Sequence, residues 1–161
     1  MSEEKDNYSP LIILLILTIL AALALEISSS QWNWNNCMHN FMGLFLLIFS
    51  MFKLFNLTTF ADGFSKYDII ASRSRIYGYL YPFIELTLGL GYLSKYYLKT
   101  VYIATIVIML IGSVGVLRNV LKGSKMKCAC MGTVLQVPLS TVTLVENVGM
   151  GLMALLMLLT S

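Results

Sequence analysis

The chain has 161 residues, 58% of them hydrophobic and only 12% charged, with a mean hydropathy of +0.79. A soluble domain carries about 25% charged residues, so the composition excludes a water-coated globule and makes lipid the solvent for most of the chain. A net charge of +3 is too small to argue for nucleic acid, three cysteines are too few and odd in number for a disulfide scaffold, and one histidine without a Gly-rich phosphate loop or nucleophile elbow leaves thin catalytic options.

In chain order, a polar tail of residues 1–9 precedes the first apolar run, 10–27, which opens at Pro10. Proline suits the first turn of a helix. Glu3, Glu4 and Asp6 around a single Lys5 do not make the basic n-region of a cleaved signal peptide, so this run reads as an anchor helix. Further runs cover 41–60, 77–93, 100–120 and 138–160. Each approaches the roughly 20 apolar residues that span a bilayer as helix. None alternates with the period of a barrel strand. The sequence thus predicts one all-α domain over 1–161, a polytopic transmembrane bundle of about five spans. The run with Pro82 and several glycines is the weakest of the five. Between the second and third runs, 61–75 reads as an amphipathic helix on the membrane surface. Phe64, Tyr67, Ile69 and Ile70 supply its apolar side, and Lys66, Arg73 and Arg75 can meet anionic lipid.

Lys and Arg set the expected orientation. With the N-terminus in the cytoplasm, the inner side holds Lys5, Lys66, Arg73, Arg75, Arg118, Lys122, Lys125 and Lys127, and the outer side only Lys95 and Lys99. Five spans then leave the C-terminus outside. Trp32 and Trp34, in a loop without Lys or Arg, sit at headgroup depth.

Three groups of residues could carry chemistry. Cys128-Ala129-Cys130 lies in a basic loop between the fourth and fifth runs. Two thiols one residue apart converge only in a turn, which Gly123 and Gly132 permit. A converged pair can bind a soft cation such as Cu(I) or cycle between dithiol and disulfide. Lys125 and Lys127 favour the thiolate that either role needs. The plainer alternative is two small apolar side chains at a helix start. The second group, Cys37, Met38, His39 and Met42, offers soft or borderline ligands within six positions, or else an interfacial loop with lipid-facing methionines. The third is Lys53, Glu85 and Glu146, charges inside predicted spans. Counting at 1.5 Å per residue puts each about 10–12 Å from the inner end of its span, so they can meet in one layer. There they form a structural ion pair, or leave a surplus carboxylate for a cation or proton path. Asn147 adds a polar group at that level, while Glu26, near the outer end of the first run, can reach water. Met150, Met153 and Met157 read as packing.

Taken in order, Phe49-Ser50-Met51-Phe52-Lys53-Leu54, Gly63-Phe64, Tyr67-Asp68-Ile69-Ile70-Ala71, Tyr81-Pro82-Phe83-Ile84-Glu85-Leu86 with Leu88-Gly89, Cys128-Ala129-Cys130-Met131-Gly132 and Thr143-Leu144-Val145-Glu146-Asn147 resemble the MauE/DoxX-type redox-associated membrane proteins. The likeness is greatest to the subgroup often joined to heavy-metal-associated domains. It runs from about Trp34 to the end. The resemblance implies a small helical bundle in the bacterial inner membrane whose working part is the C-x-C-x-G site, carried here onto Cys128 and Cys130. MauE itself is linked to maturation of a disulfide-rich periplasmic dehydrogenase subunit; the heavy-metal relatives imply copper or mercury handling. This chain departs from the pattern in its extra first run, in Cys37, and in lacking a fused metal-binding domain.

Charge counting puts the C-x-C loop on the cytoplasmic side, where thiols stay reduced. The sequence therefore favours a protein that binds or passes Cu(I) or Hg(II) through Cys128 and Cys130, with Cys37, Met38, His39 and Met42 as a separate site across the membrane and a metallochaperone or metal pump as partner. The alternatives are thiol–disulfide redox chemistry at the same pair with a thioredoxin-like partner, and a structural membrane subunit.

Overall fold

A computed structural model describes residues 9–29, 31–66, 68–121 and 139–160. Six helices account for most of them, and no strand occurs among the described residues: α1 (Ser9–Ile27), α2 (Trp34–Phe55), α3 (Leu57–Phe64), α4 (Arg75–Ser94), α5 (Leu98–Leu121) and α6 (Leu139–Thr160). The α2, α5 and α6 helices are long and apolar enough to cross a membrane, over Trp34–Phe55, Leu98–Arg118 and Thr143–Thr160, and Leu11–Ile27 of α1 is a shorter apolar helix. Three of the five expected spans thus meet the length and composition of a membrane crossing among the described residues. The α4 helix falls outside because Arg75, Glu85, Pro82 and its glycines dilute its apolar content.

Helix α2 is the hub. It packs against α1 and α4, α3 folds onto α4, and α5 pairs with α6. Leucines, isoleucines and valines cover the outside: Ile13, Leu17 and Leu20 on α1, Leu110 and Leu117 on α5, and Leu152 and Leu156 on α6 are all exposed. In water this surface would be a severe liability; against acyl chains it is the expected finish.

Two boundaries differ from those read in the sequence. The second run does not continue to residue 60. Helix α2 begins earlier, at Trp34, where Asn33 accepts the Asn35 N–H at 2.9 Å, and it stops at Phe55. Asn56 is non-helical (φ −137°, ψ 65°) and its side chain accepts the Thr59 N–H, which starts α3 in a new direction. The amphipathic helix expected over 61–75 is likewise replaced. Helix α3 ends at Phe64, and turns follow at 65–66 and 69–73, while Tyr67 lies outside the described residues. Asp68 explains the change: its Oδ1 accepts the N–H groups of Ile70 and Ala71, both at 2.9 Å, which favours a local turn over helix. Phe60, Ala61 and Phe64 are buried, with both phenylalanine rings against Tyr81 of α4.

Pro82 does not end α4, which runs through it. Proline removes one i→i−4 bond; Gly78, whose carbonyl loses that bond, is itself buried against Ala61 of α3. Farther along, α2 and α4 approach backbone to backbone at Gly43 and Gly89, where a Cβ on Gly89 would lie 3.0 Å from the Gly43 carbonyl oxygen. Small residues at a helix crossing permit such close contact in a membrane, where packing replaces the hydrophobic effect. The chain then reverses into α5 through Lys95 (φ 57°) and Tyr97 (φ 49°), two left-handed non-glycine residues.

A candidate functional site in a buried charge layer

Three charged side chains meet inside the bundle. Lys53 lies near the end of α2, Glu85 midway along α4, and Glu146 seven residues into α6. The Lys53 ammonium donates to both oxygens of Glu85, at 2.6 Å to Oε2, and to Glu146 Oε1 at 3.2 Å. All three are buried, with Glu85 fully so. Phe60 and Tyr81 turn their rings toward Lys53, their centroids 5.7 and 5.2 Å from Nζ. Counting one cation and two anions, the layer is negative by one charge when every group is ionised.

The surroundings of Glu146 are less complete than those of Glu85. Thr143, Glu146 and Asn147 stand at i, i+3 and i+4 on α6, a spacing that puts them on one face, and all three are buried. Thr143 Oγ1 and both amide atoms of Asn147 have no hydrogen-bond partner among the described residues. Buried polar atoms are seldom left so. Glu146 also borders an apolar cavity of about 200 Å³ between α1, α2 and α6, lined by Leu11, Phe45, Phe49 and Met150.

A second polar cluster lies about 21 Å up α2, fourteen residues from Lys53. His39 Nε2 meets the Tyr102 hydroxyl of α5, and the two rings stack at 5.8 Å. The Tyr92 hydroxyl donates to Thr105 Oγ1 at 3.1 Å. His39, Tyr92, Tyr102 and Thr105 are buried.

The candidate ligands Cys37, Met38, His39 and Met42 therefore lie on a helix, not in an interfacial loop. The helix separates them. Cys37 and Met38 line an apolar cavity with Ala22, Leu23 and Met153, His39 is engaged by Tyr102, and Met42 is buried in the hydrophobic core. No group of three or more His, Cys, Asp or Glu converges as a metal site among the described residues. Glu26 does not reach water; it is 2% exposed, and its Oε1 accepts the Asn33 N–H at 2.8 Å, tying the end of α1 to the start of α2. Cys128 and Cys130, with Lys125 and Lys127, lie outside the described residues. The sequence reading missed Tyr81, Thr143 and the His39–Tyr102 contact. A polar residue one turn before Glu146 was the available signal for Thr143; nothing in spacing alone pairs His39 with a residue 63 positions away.

The family model described as methylamine utilisation protein MauE matches residues 12–160. No curated protein and no solved structure matches.

Proposed function

The chain belongs to the MauE family and is a multi-pass membrane protein, and from that membership we propose that it takes part in thiol–disulfide chemistry that supports maturation of a partner protein, with Cys128 and Cys130 as the working pair. The family match carries the reading, because its bounds, residues 12–160, enclose the Cys128-Ala129-Cys130 segment and α6. In the proposed reaction a Cys128 or Cys130 thiolate attacks a disulfide of a thioredoxin-like protein. One sulfur of that disulfide leaves as thiolate and a mixed disulfide forms. The second loop thiolate then displaces the partner, so two electrons pass from the loop pair to the partner and no other oxidant is needed. The same steps run backward when the partner is the dithiol. Lys125 and Lys127 favour the attacking thiolate.

In this reading α1, α2, α4, α5 and α6 are five spans, with the N-terminus and the α5–α6 loop cytoplasmic and the C-terminus outside. The eight-to-two distribution of Lys and Arg supports that orientation. The cytoplasmic placement of the loop, where thiols stay reduced, suits the soft-metal alternative as well; the family match favours the redox reading.

The test is redox trapping. Cells are acid-quenched, free thiols are alkylated with a mass-shifting maleimide, and wild type is compared with Cys128→Ser and Cys130→Ser. A loop disulfide that disappears on treatment with a dithiol, and a dithiol-sensitive mixed disulfide in one single-serine variant, are expected. A pair found fully reduced under every condition, with no mixed disulfide in either variant, overturns the proposal.

A further inference from the structure

We propose that the Lys53–Glu85–Glu146 layer is a proton-binding site whose two carboxyls hold one exchangeable proton between them. The cation is shared unequally by the two acids. Glu85 receives the Lys53 ammonium on both oxygens and is fully buried. Glu146 receives it once, at 3.2 Å. One ammonium therefore matches one carboxylate, and the second carboxylate is surplus. An uncompensated charge at such depth is costly, and a proton removes it where a metal ion has no place, because Nζ already occupies the position between the two acids.

The neighbourhood adds an independent sign. Asn147 is 1% exposed, and its amide nitrogen and oxygen, like Thr143 Oγ1, lack partners among the described residues. Thr143 Oγ1, one turn before Glu146, is suited to exchange a hydrogen bond with a carboxyl that alternates between donor and acceptor, while the Asn147 amide lies against Gly112 of α5. Helix α2 brings Lys53; α4 brings Glu85, Tyr81 and, farther off, Tyr77, which feels both Glu85 and Asp68. Helix α3 faces Lys53 with the Phe60 ring, α5 has no charged residue between Val101 and Val116, and α1 meets the Glu146 cavity with Leu11 and Leu15.

The experiment is infrared spectroscopy of the full chain in nanodiscs, with glutamate carboxyl carbons isotopically labelled to move their bands away from those of Asp62 and Asp68. A protonated glutamate band that persists at neutral pH is expected in wild type and in Cys128→Ser/Cys130→Ser. It should vanish in Glu146→Gln and in Glu85→Gln, each of which leaves one carboxylate to one ammonium, and remain in Glu26→Gln. Absence of the band in wild type overturns the proposal, whatever the variants do. A band retained in both Glu146→Gln and Glu85→Gln overturns its assignment to this layer.

Discussion

Lys53 joins Glu85 and Glu146 across three helices, its ammonium 2.6 Å from Glu85 Oε2 and 3.2 Å from Glu146 Oε1. Such a layer fixes which faces of α2, α4 and α6 turn inward, because each charge has partners only there. Removing the cation alone strands two buried carboxylates. Lys53→Met is therefore expected to destabilise the protein by about 3–5 kcal/mol, and Lys53→Met/Glu85→Gln/Glu146→Gln by much less. Thermal melts in detergent check the order. A Lys53→Met protein as stable as wild type would falsify the pairing as a structural element.

Close approach of α2 and α4 predicts an unequal response at three glycines. A Cβ on Gly89 would sit 3.0 Å from the Gly43 carbonyl and 3.2 Å from the Leu47 nitrogen, both backbone atoms. One on Gly43 meets the Leu93 side chain at 2.6 Å, which can turn aside, although the Gly89 carbonyl at 3.0 Å cannot. One on Gly149 meets nothing within 4 Å. Gly89→Ala and Gly43→Ala should each cost about 1–3 kcal/mol, and Gly149→Ala should be neutral or stabilising by up to about 1 kcal/mol. Equal melting temperatures for the Gly89 and Gly149 variants would contradict the close crossing.

Much of this was legible in the sequence, for identifiable reasons. Apolar runs reported α1, α4, α5 and α6 to within about two residues, because a lipid-facing helix advertises itself by composition. Depth counting placed Glu85 and Glu146 at one level, since a helix rises uniformly along its axis; it put Lys53 there too, but from an end at residue 60 that the structure moves to Phe55. What failed was local. Asn56 breaks α2 from α3 by capping, with no Gly or Pro to announce it. Asp68 converts an amphipathic pattern into turns through two side-chain bonds. Glu26 looked wet because it stands near a helix end, yet the next helix needs an acceptor there. His39 read as a soft ligand among others, and only the folded chain shows that Tyr102 takes its Nε2.

Asp68 gives a pH prediction outside the spans. Burial pushes its carboxyl above the ordinary Asp range, against the pull of the Ala71 and Ile70 amides. A carboxyl raised in the folded state contributes stability that is fully present below its unfolded value of about 4 and is lost as pH rises through the folded value. Asp68→Asn keeps the Oδ1 acceptor and removes the titration, so its melting temperature should fall less between acid and neutral pH than that of wild type. Asp68→Ala loses both bonds and should cost about 1–3 kcal/mol. A wild-type and Asn pair with parallel pH profiles would exclude the burial argument.

Cys37 and the loop pair should separate by reactivity. Cys37 is 8% exposed within α2, against Ala22 and Leu23. In folded protein a polar maleimide should label the Cys128→Ser/Cys130→Ser variant slowly, and stoichiometrically only after denaturation. Mass spectrometry of the intact chain counts the adducts. Fast labelling of that variant under native conditions would mean that α1 does not cover α2 at this level.

The His39–Tyr102 contact supplies the last test. Both side chains are buried, and the tyrosine hydroxyl is the partner of His39 Nε2 across the α2–α5 interface. Tyr102→Phe retains the ring and its stacking but strands Nε2, so it should cost about 1–3 kcal/mol, the penalty for a buried group left without its bond. His39→Phe removes the demand for a partner but strands the hydroxyl instead. The double variant, with two phenylalanine rings stacked, has nothing polar left to satisfy at that contact. It is expected to be more stable than either single variant, giving a coupling energy of about 0.5–3 kcal/mol in a double-mutant cycle. Melts of the four proteins measure it. Additive losses would show that the two groups act independently and that the interface is held by ring packing alone.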